Sequence, residues 1–130
     1  MRVARWLVVM GSVILFCTAF VHLSGYSSVT HALQNTGARS FILNGFKALW
    51  LMFSIHLVLL SAVLVVASRT PRGKTLVLLC LLIPASDTVL LFHFIGLFIG
   101  TILLASATVF LIAGGLLLPQ EIGRTVQKTA

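Results

Sequence analysis

The sequence predicts an all-α integral membrane protein, an antiparallel four-helix bundle with both termini in the cytoplasm. Apolar residue types make up 59% of the 130 residues and charged types only 8%. The mean hydropathy is +1.15. A soluble domain carries about 25% charged residues, and a chain this short buries a modest share of its surface. The composition therefore excludes a disordered chain, a coiled coil, a disulfide-rich secreted module and nearly every soluble enzyme.

The first predicted helix spans residues 5–23. The run from Trp6 to Leu23 is apolar and uncharged, and Arg2 and Arg5 precede it. A signal peptide shares this charge pattern, which leaves cleavage as an alternative. The apolar run is long for a signal peptide, however, and no clear small-x-small cleavage site follows it. A retained transmembrane helix is the preferred interpretation.

A polar segment from Ser24 to Gly45 follows the first helix. Within it, Ser28 is predicted to cap a short helix that Gly37 ends, and this helix could lie on the membrane surface. The second predicted helix spans residues 41–67, and Ser40 is its predicted cap. The 21 residues between Lys47 and Arg69 carry no charge, a length that suits a hydrocarbon core about 30 Å thick.

The rest of the chain predicts a helical hairpin that follows a tight basic turn at residues 69–74. Residues 75–120 contain a single charge, Asp87, and are far too long for one span. The segment must therefore fold back on itself, and Gly96 to Gly100 is the predicted break because glycine permits a tight turn. The third and fourth predicted helices span residues 75–95 and 100–118, and residues 1–130 form a single transmembrane domain.

The nine basic residues are divided unequally between the two ends of the predicted bundle. Arg39 and Lys47 belong to one end. The other seven belong to the opposite end, and they are Arg2, Arg5, Arg69, Arg72, Lys74, Arg124 and Lys128. Because basic residues are retained in the cytoplasm, both termini and the 69–74 turn are predicted there. The net charge of +7 thus indicates membrane topology rather than nucleic-acid binding. A multi-pass protein of the bacterial inner membrane is expected.

Asp87 is the most informative residue, because it lies near the middle of the third predicted helix. An Asp at mid-depth costs about 2.5–3.5 kcal/mol, so a proton, a partner or a water-filled cavity must offset it. One turn away, Pro84 leaves the carbonyl of Cys80 without its helical partner, which suits a bound ion, water or substrate. His56 lies at a similar depth, so Asp87 and His56 are a candidate in-membrane polar pair for relaying protons or orienting a ligand. Purely structural roles for both residues stay open.

Three further histidines, His22, His31 and His93, are predicted on the outer side and are the candidate ligand-binding residues. Three histidines at one level could bind copper or zinc, and two could hold a haem iron. No pair has i, i+3 or i+4 spacing on one helix, so no cofactor is predicted. Haem, metal or quinone binding remains an alternative. Cys17 and Cys80 lie in apolar runs without a CxxC motif and are interpreted as packing residues.

Two stretches of the sequence resemble the DoxX-like group of small four-helix bacterial membrane proteins. Residues 45–50, Gly-Phe-Lys-Ala-Leu-Trp, open the second predicted helix, and residues 94–100, Phe-Ile-Gly-Leu-Phe-Ile-Gly, form the last turn. The order of spans and loops is also similar over most of the chain. The resemblance implies a four-helix membrane fold and, from some members, a role beside membrane oxidoreductases that use quinone. It implies no site residues.

The sequence contains no GxSxG, HExxH, P-loop or dinucleotide fingerprint, and its aqueous segments are too short for a catalytic domain. No catalytic residue is assigned, and an enzyme is not the leading interpretation. Small residues of the last helix, among them Thr101, Ala105 and Ala113, favour close helix packing. The leading prediction is a membrane subunit or accessory protein that packs against itself or a partner, such as a membrane oxidoreductase. The alternatives are a redox component that binds haem, metal or quinone, and a small proton- or cation-coupled transporter that uses Asp87.

Overall fold

The structure, a computed structural model, describes residues 2–119 and is all-helical over this range. Its helices are α1 (Arg2–Ser24), α2 (Tyr26–Asn35), α3 (Ser40–Ala67), α4 (Gly73–Phe94) and α5 (Ile99–Leu117). Four segments are long and apolar enough to cross a membrane: α1 with its continuation α2, and then α3, α4 and α5. The predicted all-α four-helix bundle is confirmed. The predicted polar tail, with Arg124 and Lys128, lies outside the described residues.

The bundle is arranged around α1. This helix packs along both α5 and α3, and α5 also packs against α4. The short helix α2 lies mainly against α3. In contrast, α3 and α4 touch each other sparsely, although only a short turn separates them in the chain. The ring of helices α3, α1, α5 and α4 is therefore closely packed on three sides and loosely closed on the fourth.

The contact between α1 and α5 depends on glycine. A Cβ atom added to Gly11 would lie 2.8 Å from Leu111 Cγ and 3.1 Å from the carbonyl oxygen of Ala107. A Cβ atom added to Gly114 would lie 2.8 Å from the backbone nitrogen of Val8. Small residues let membrane helices approach closely enough for extensive van der Waals contact. The two glycines lie on facing helices about one turn apart, so both backbones approach closely in this part of the contact.

Leucines from three helices fill the centre of the bundle, and Leu15, Leu57, Leu64, Leu104 and Leu111 are fully buried. The buried hydroxyl groups between them are satisfied within their own helices. Ser12 Oγ donates to the carbonyl of Val8 at 2.8 Å, and Thr18 Oγ1 donates to that of Ile14 at 2.7 Å. Such bonds to the preceding turn let small polar residues enter an apolar core without a partner on another helix.

Two turns have the backbone geometry that the sequence predicts. Gly37 ends the segment after α2 with a φ of 71°, and Gly96 has a φ of 90° between α4 and α5. Both values lie in the region that glycine adopts without strain. The predicted break at Gly96 to Gly100 therefore matches the structure, and Gly100 lies in the first turn of α5, where the ring of Phe98 covers it.

The predicted caps in the polar segment are wrong. Helix α2 begins at Tyr26, two residues before Ser28, and no side chain caps it. The reason is that α1 runs into α2 through one tight turn, in which the Gly25 N–H donates to the His22 carbonyl at 3.2 Å. At α3 the N-cap is Arg39, so Ser40 is the first helical residue and not the cap.

Candidate functional site

Asp87 and His56 face the boundary between α3 and α4, which we call the α3–α4 seam. Asp87 lies 14 residues after the start of α4, and His56 lies 11 residues before the end of α3. With a rise of 1.5 Å per residue, the two residues differ in depth by only about 5 Å. His56 is close enough to act electrostatically on the Asp87 carboxylate. Both side chains are half-buried.

Among the described residues, each of these two side chains has one buried polar atom without a hydrogen-bond partner. Asp87 Oδ2 and His56 Nε2 are both buried, and neither forms a hydrogen bond within residues 2–119. A buried polar atom left without a partner costs about 1–3 kcal/mol. The structure thus brings the two predicted residues to the same seam and the same depth, without a direct hydrogen bond between them.

The seam is loose because α4 is buried only in its first half. The buried residues of this helix are Gly73, Val77, Leu81 and Pro84. Beyond Pro84 the side chains of α4 are half-buried or exposed. Proline cannot donate the backbone bond that an interior helical residue would make, which loosens the helix at this point. Asp87 therefore lies just beyond the proline, on the half of α4 that the bundle covers least.

A second polar cluster joins α1 to α3 at the end of the bundle opposite the basic turn. His22 stacks on Trp50 with ring centroids 4.1 Å apart and planes 19° from parallel. Its Nδ1 lies 2.9 Å from Ser54 Oγ. The indole Nε1–H of Trp50 donates to the backbone carbonyl of His22 at 2.9 Å, and Phe53 lies 4.8 Å from the imidazole. We call His22, Trp50 and Ser54 the outer clamp.

The hydrogen bonds of the outer clamp run in one direction. Ser54 Oγ donates to the carbonyl of Trp50 at 3.2 Å. Because a hydroxyl has a single proton, a Ser54 hydroxyl that donates to Trp50 accepts its second hydrogen bond from Nδ1–H of His22. The three bonds form a closed path between α1 and α3. This path fixes the end of α1 at the point where the chain turns into α2.

Sequence reasoning assigned the members of the outer clamp separately. From the sequence, His22 is a candidate ligand-binding residue, and no contact between it and Trp50 or Ser54 is predicted. The sequence does indicate that the two residues His22 and Trp50 lie at a similar depth, because His22 is near the end of one helix and Trp50 is near the start of its antiparallel neighbour. The aromatic stacking itself depends on side-chain geometry that spacing does not reveal.

The other two predicted ligand candidates have separate neighbours. His31 Nδ1 lies 3.3 Å from Asn35 Nδ2 within α2. His93 is exposed and packs edge-on against Phe94, with centroids 4.8 Å apart. Within residues 2–119, no group of three or more His, Cys, Asp or Glu side chains is arranged to hold a metal ion. The geometry therefore brings Asp87 toward His56, and it distributes His22, His31 and His93 among different surroundings.

Comparison with known proteins adds no assignment to this geometry. No protein-family model, curated protein or solved structure matches the chain. The resemblance to the DoxX-like group thus rests on the layout of the sequence alone.

Proposed function

We propose that this chain is a small multi-pass membrane subunit that binds a transmembrane helix of a partner along the α3–α4 seam. In this proposal the protein works through helix packing and carries out no chemistry of its own. The membrane is the bacterial inner membrane, and the 69–74 turn faces the cytoplasm. The partner is an integral membrane protein, such as an oxidoreductase, or a second copy of the chain.

The position of Asp87 carries the proposal. It is the only acidic residue within the described part of the chain, and it lies on the least covered half of α4. An Asp at the centre of a membrane helix costs about 2.5–3.5 kcal/mol unless its surroundings offset that cost. A partner helix that carries a Ser, Thr or Asn side chain would form hydrogen bonds with the accessible part of the half-buried Asp87 side chain.

The apolar surface near the seam is compatible with such a partner. Leu90 follows Asp87 by three residues on the same side of α4, and 54% of its surface is exposed. Lipid tails are as apolar as leucine, so an exposed leucine gives no preference for a protein neighbour over lipid. The specificity of the interaction must then come from polar groups, and the seam holds them in Asp87 and His56.

Site-specific crosslinking in native membranes tests the proposal. Leu90→Cys places a thiol beside the seam in a background that lacks Cys17 and Cys80. Val89→Cys is the matched control, since Val89 has the same depth and 67% exposure but lies about 100° away around the helix. We expect an adduct from Leu90→Cys and little from Val89→Cys. Its mass distinguishes a second copy of this 14.0 kDa chain from another protein.

Two substitutions of Asp87 then separate hydrogen bonding from charge. Asp87→Asn retains polar groups that can form hydrogen bonds, whereas Asp87→Leu removes them. We expect the Leu90→Cys adduct to persist with Asp87→Asn and to fall at least tenfold with Asp87→Leu. An unchanged adduct with Asp87→Leu, or equal adducts from the two cysteine positions, would contradict the proposal.

Proton- or cation-coupled transport is the second candidate, and the two unpartnered atoms in the seam favour it. A carboxylate beside an imidazole near a proline in a membrane helix can take up and release a proton. In proteoliposomes with an internal pH dye, a Na⁺ or K⁺ gradient would then drive proton movement. Asp87→Asn would abolish that movement while leaving the crosslink intact. Wild-type vesicles that show no movement with either cation would remove this candidate.

A further inference from the structure

Basic side chains surround two adjoining cavities at the end of the bundle where α1 begins and α3 ends. One cavity has a volume of about 130 Å³ and includes Arg5, Arg69 and Lys74 in its lining. The other has a volume of about 380 Å³ and includes Arg2, Arg5 and Arg69. Ser68 also lines both. The structure thus gathers four cations from two separate segments of the chain, the start of α1 and the 69–74 turn, around one concave surface, which we call the basic pocket.

No described acidic residue neutralises the basic pocket. Asp87 is the only carboxylate within residues 2–119, and it lies 14 residues along α4 from Gly73. That separation is about 20 Å along the helix axis. Exposed cations that converge on one surface create a positive potential that attracts anions.

The backbone around the pocket adds to this potential. Helix α4 begins at Gly73 beside the pocket, and no side chain caps its first turn. Uncapped N–H groups at a helix start favour a negative charge. A Cβ atom at Gly73 would clash with the carbonyl oxygen of Ala67, so glycine allows α4 to start directly against the end of α3. Lys74 Nζ donates to the carbonyl of Leu116 at 3.2 Å, which holds the ammonium at the pocket rim.

An apolar wall continues from the cations along α1. Trp6 and Val9 line the larger cavity together with the arginines, and 66% of the Trp6 surface is exposed. A small inorganic anion would gain no binding energy from contact with these apolar side chains. An amphipathic ligand would place its anionic group among the arginines and its apolar part against Trp6 and Val9. Tryptophan is also enriched at the depth of lipid headgroups.

We infer that the basic pocket binds the phosphate headgroup of an anionic phospholipid. The phosphate lies between the Arg5 and Arg69 guanidinium groups, which suit bidentate contact with phosphate oxygens. The start of an acyl chain lies along Trp6 and Val9. Basic pockets between membrane helices on the cytoplasmic side are a recurrent setting for anionic headgroups. This inference concerns the opposite end of the bundle from the outer clamp and does not depend on the seam.

Lipid binding to the full chain in mild detergent, followed by native mass spectrometry, tests the inference. The probes are phosphatidylglycerol, phosphatidylcholine and inorganic phosphate. Arg5→Gln/Arg69→Gln removes two charges from the pocket, and Arg39→Gln/Lys47→Gln removes two charges from the opposite end. We expect phosphatidylglycerol to bind at least tenfold more tightly than phosphatidylcholine. The pocket variant should weaken its binding by about 30-fold, while the control variant leaves it within twofold.

The conservative variant Arg5→Lys/Arg69→Lys controls for folding. It keeps both charges and should retain most of the phosphatidylglycerol binding, with a melting temperature equal to that of the pocket variant. Equal losses in the pocket and control variants would show only a general charge effect and would overturn the inference. Equal binding of the two lipids would overturn it, as would displacement of the lipid by millimolar inorganic phosphate.

Discussion

The α1–α5 contact and the α3–α4 seam join helices of similar length and composition, yet they are packed in opposite ways. In the first, Gly11 and Gly114 let the two backbones approach closely. In the second, the helices touch sparsely and enclose two polar atoms without partners. One contact has small residues and satisfied polar groups, whereas the other has a proline, a carboxyl group and an imidazole.

The comparison distinguishes the contact that stabilises the bundle from the contact that is proposed to bind a partner. Inside a membrane, helices associate through close van der Waals packing, because burial from lipid gives no hydrophobic gain. The α1–α5 contact therefore supplies stability. The α3–α4 seam is packed sparsely and contributes less to stability, and its half-buried Asp87 side chain is the polar group that the proposed partner would contact.

The largest expected effect comes from breaking the tight contact. Gly114→Leu would drive a side chain into the backbone of α1 at Ala4 and Val8, where even a Cβ atom would lie within 3.0 Å. We expect a loss of stability of about 3 kcal/mol, because overpacking forces the helices apart. Thermal unfolding in detergent measures it.

Gly45→Leu is the matched control for this substitution. Gly45 lies on α3, and a Cβ atom there would have no neighbouring atom within 4 Å. Its melting temperature should equal or exceed that of the wild type, since glycine is a poor helix former. Similar losses in both variants would contradict the packing role assigned to Gly114.

A smaller loss of stability is expected from substitution in the outer clamp, which joins α1 to α3. Trp50→Phe keeps an aromatic ring against His22 but removes the indole donor to the His22 carbonyl. We expect a loss of about 1 kcal/mol, the usual net value of one hydrogen bond. The same unfolding measurement applies, with Trp6→Phe as control because Trp6 is largely exposed. Equal shifts in the two variants would remove the hydrogen bond as the cause.

The smallest change in stability is expected from substitutions in the α3–α4 seam, and here the bundle should become equally or more stable. The double variant His56→Leu/Asp87→Leu replaces both unpartnered groups with apolar side chains. We expect the isolated bundle to keep its stability within about 0.5 kcal/mol or to gain, because no satisfied polar contact is lost. His22→Leu, which removes a stacked and hydrogen-bonded ring, should instead destabilise the bundle. Strong destabilisation by the double variant would show that the seam is structural.

The sequence predicted the helices and their turns closely because these depend on local properties. Four long apolar runs need four spans, and glycine at position 96 permits the backbone angle of the last turn. Its prediction of Asp87 and His56 at a common depth follows from counting residues along two antiparallel helices. The predicted cap at Ser28 was wrong because α1 continues into α2 through the tight turn at Gly25, so the helix starts before Ser28.

The sequence by itself determined that the chain has four helices long and apolar enough to span a membrane, where they turn, and where the few charges fall along them. Only the tertiary structure decided that α1 lies between α3 and α5 and that His22 packs on Trp50. It also decided that Arg5 and Arg69 line the same cavity. The physical reason is that the interior of a membrane bundle and the surrounding lipid are equally apolar. Helical periodicity therefore does not mark the buried face, as it does in a soluble protein, and the choice of neighbours is made by side-chain shape.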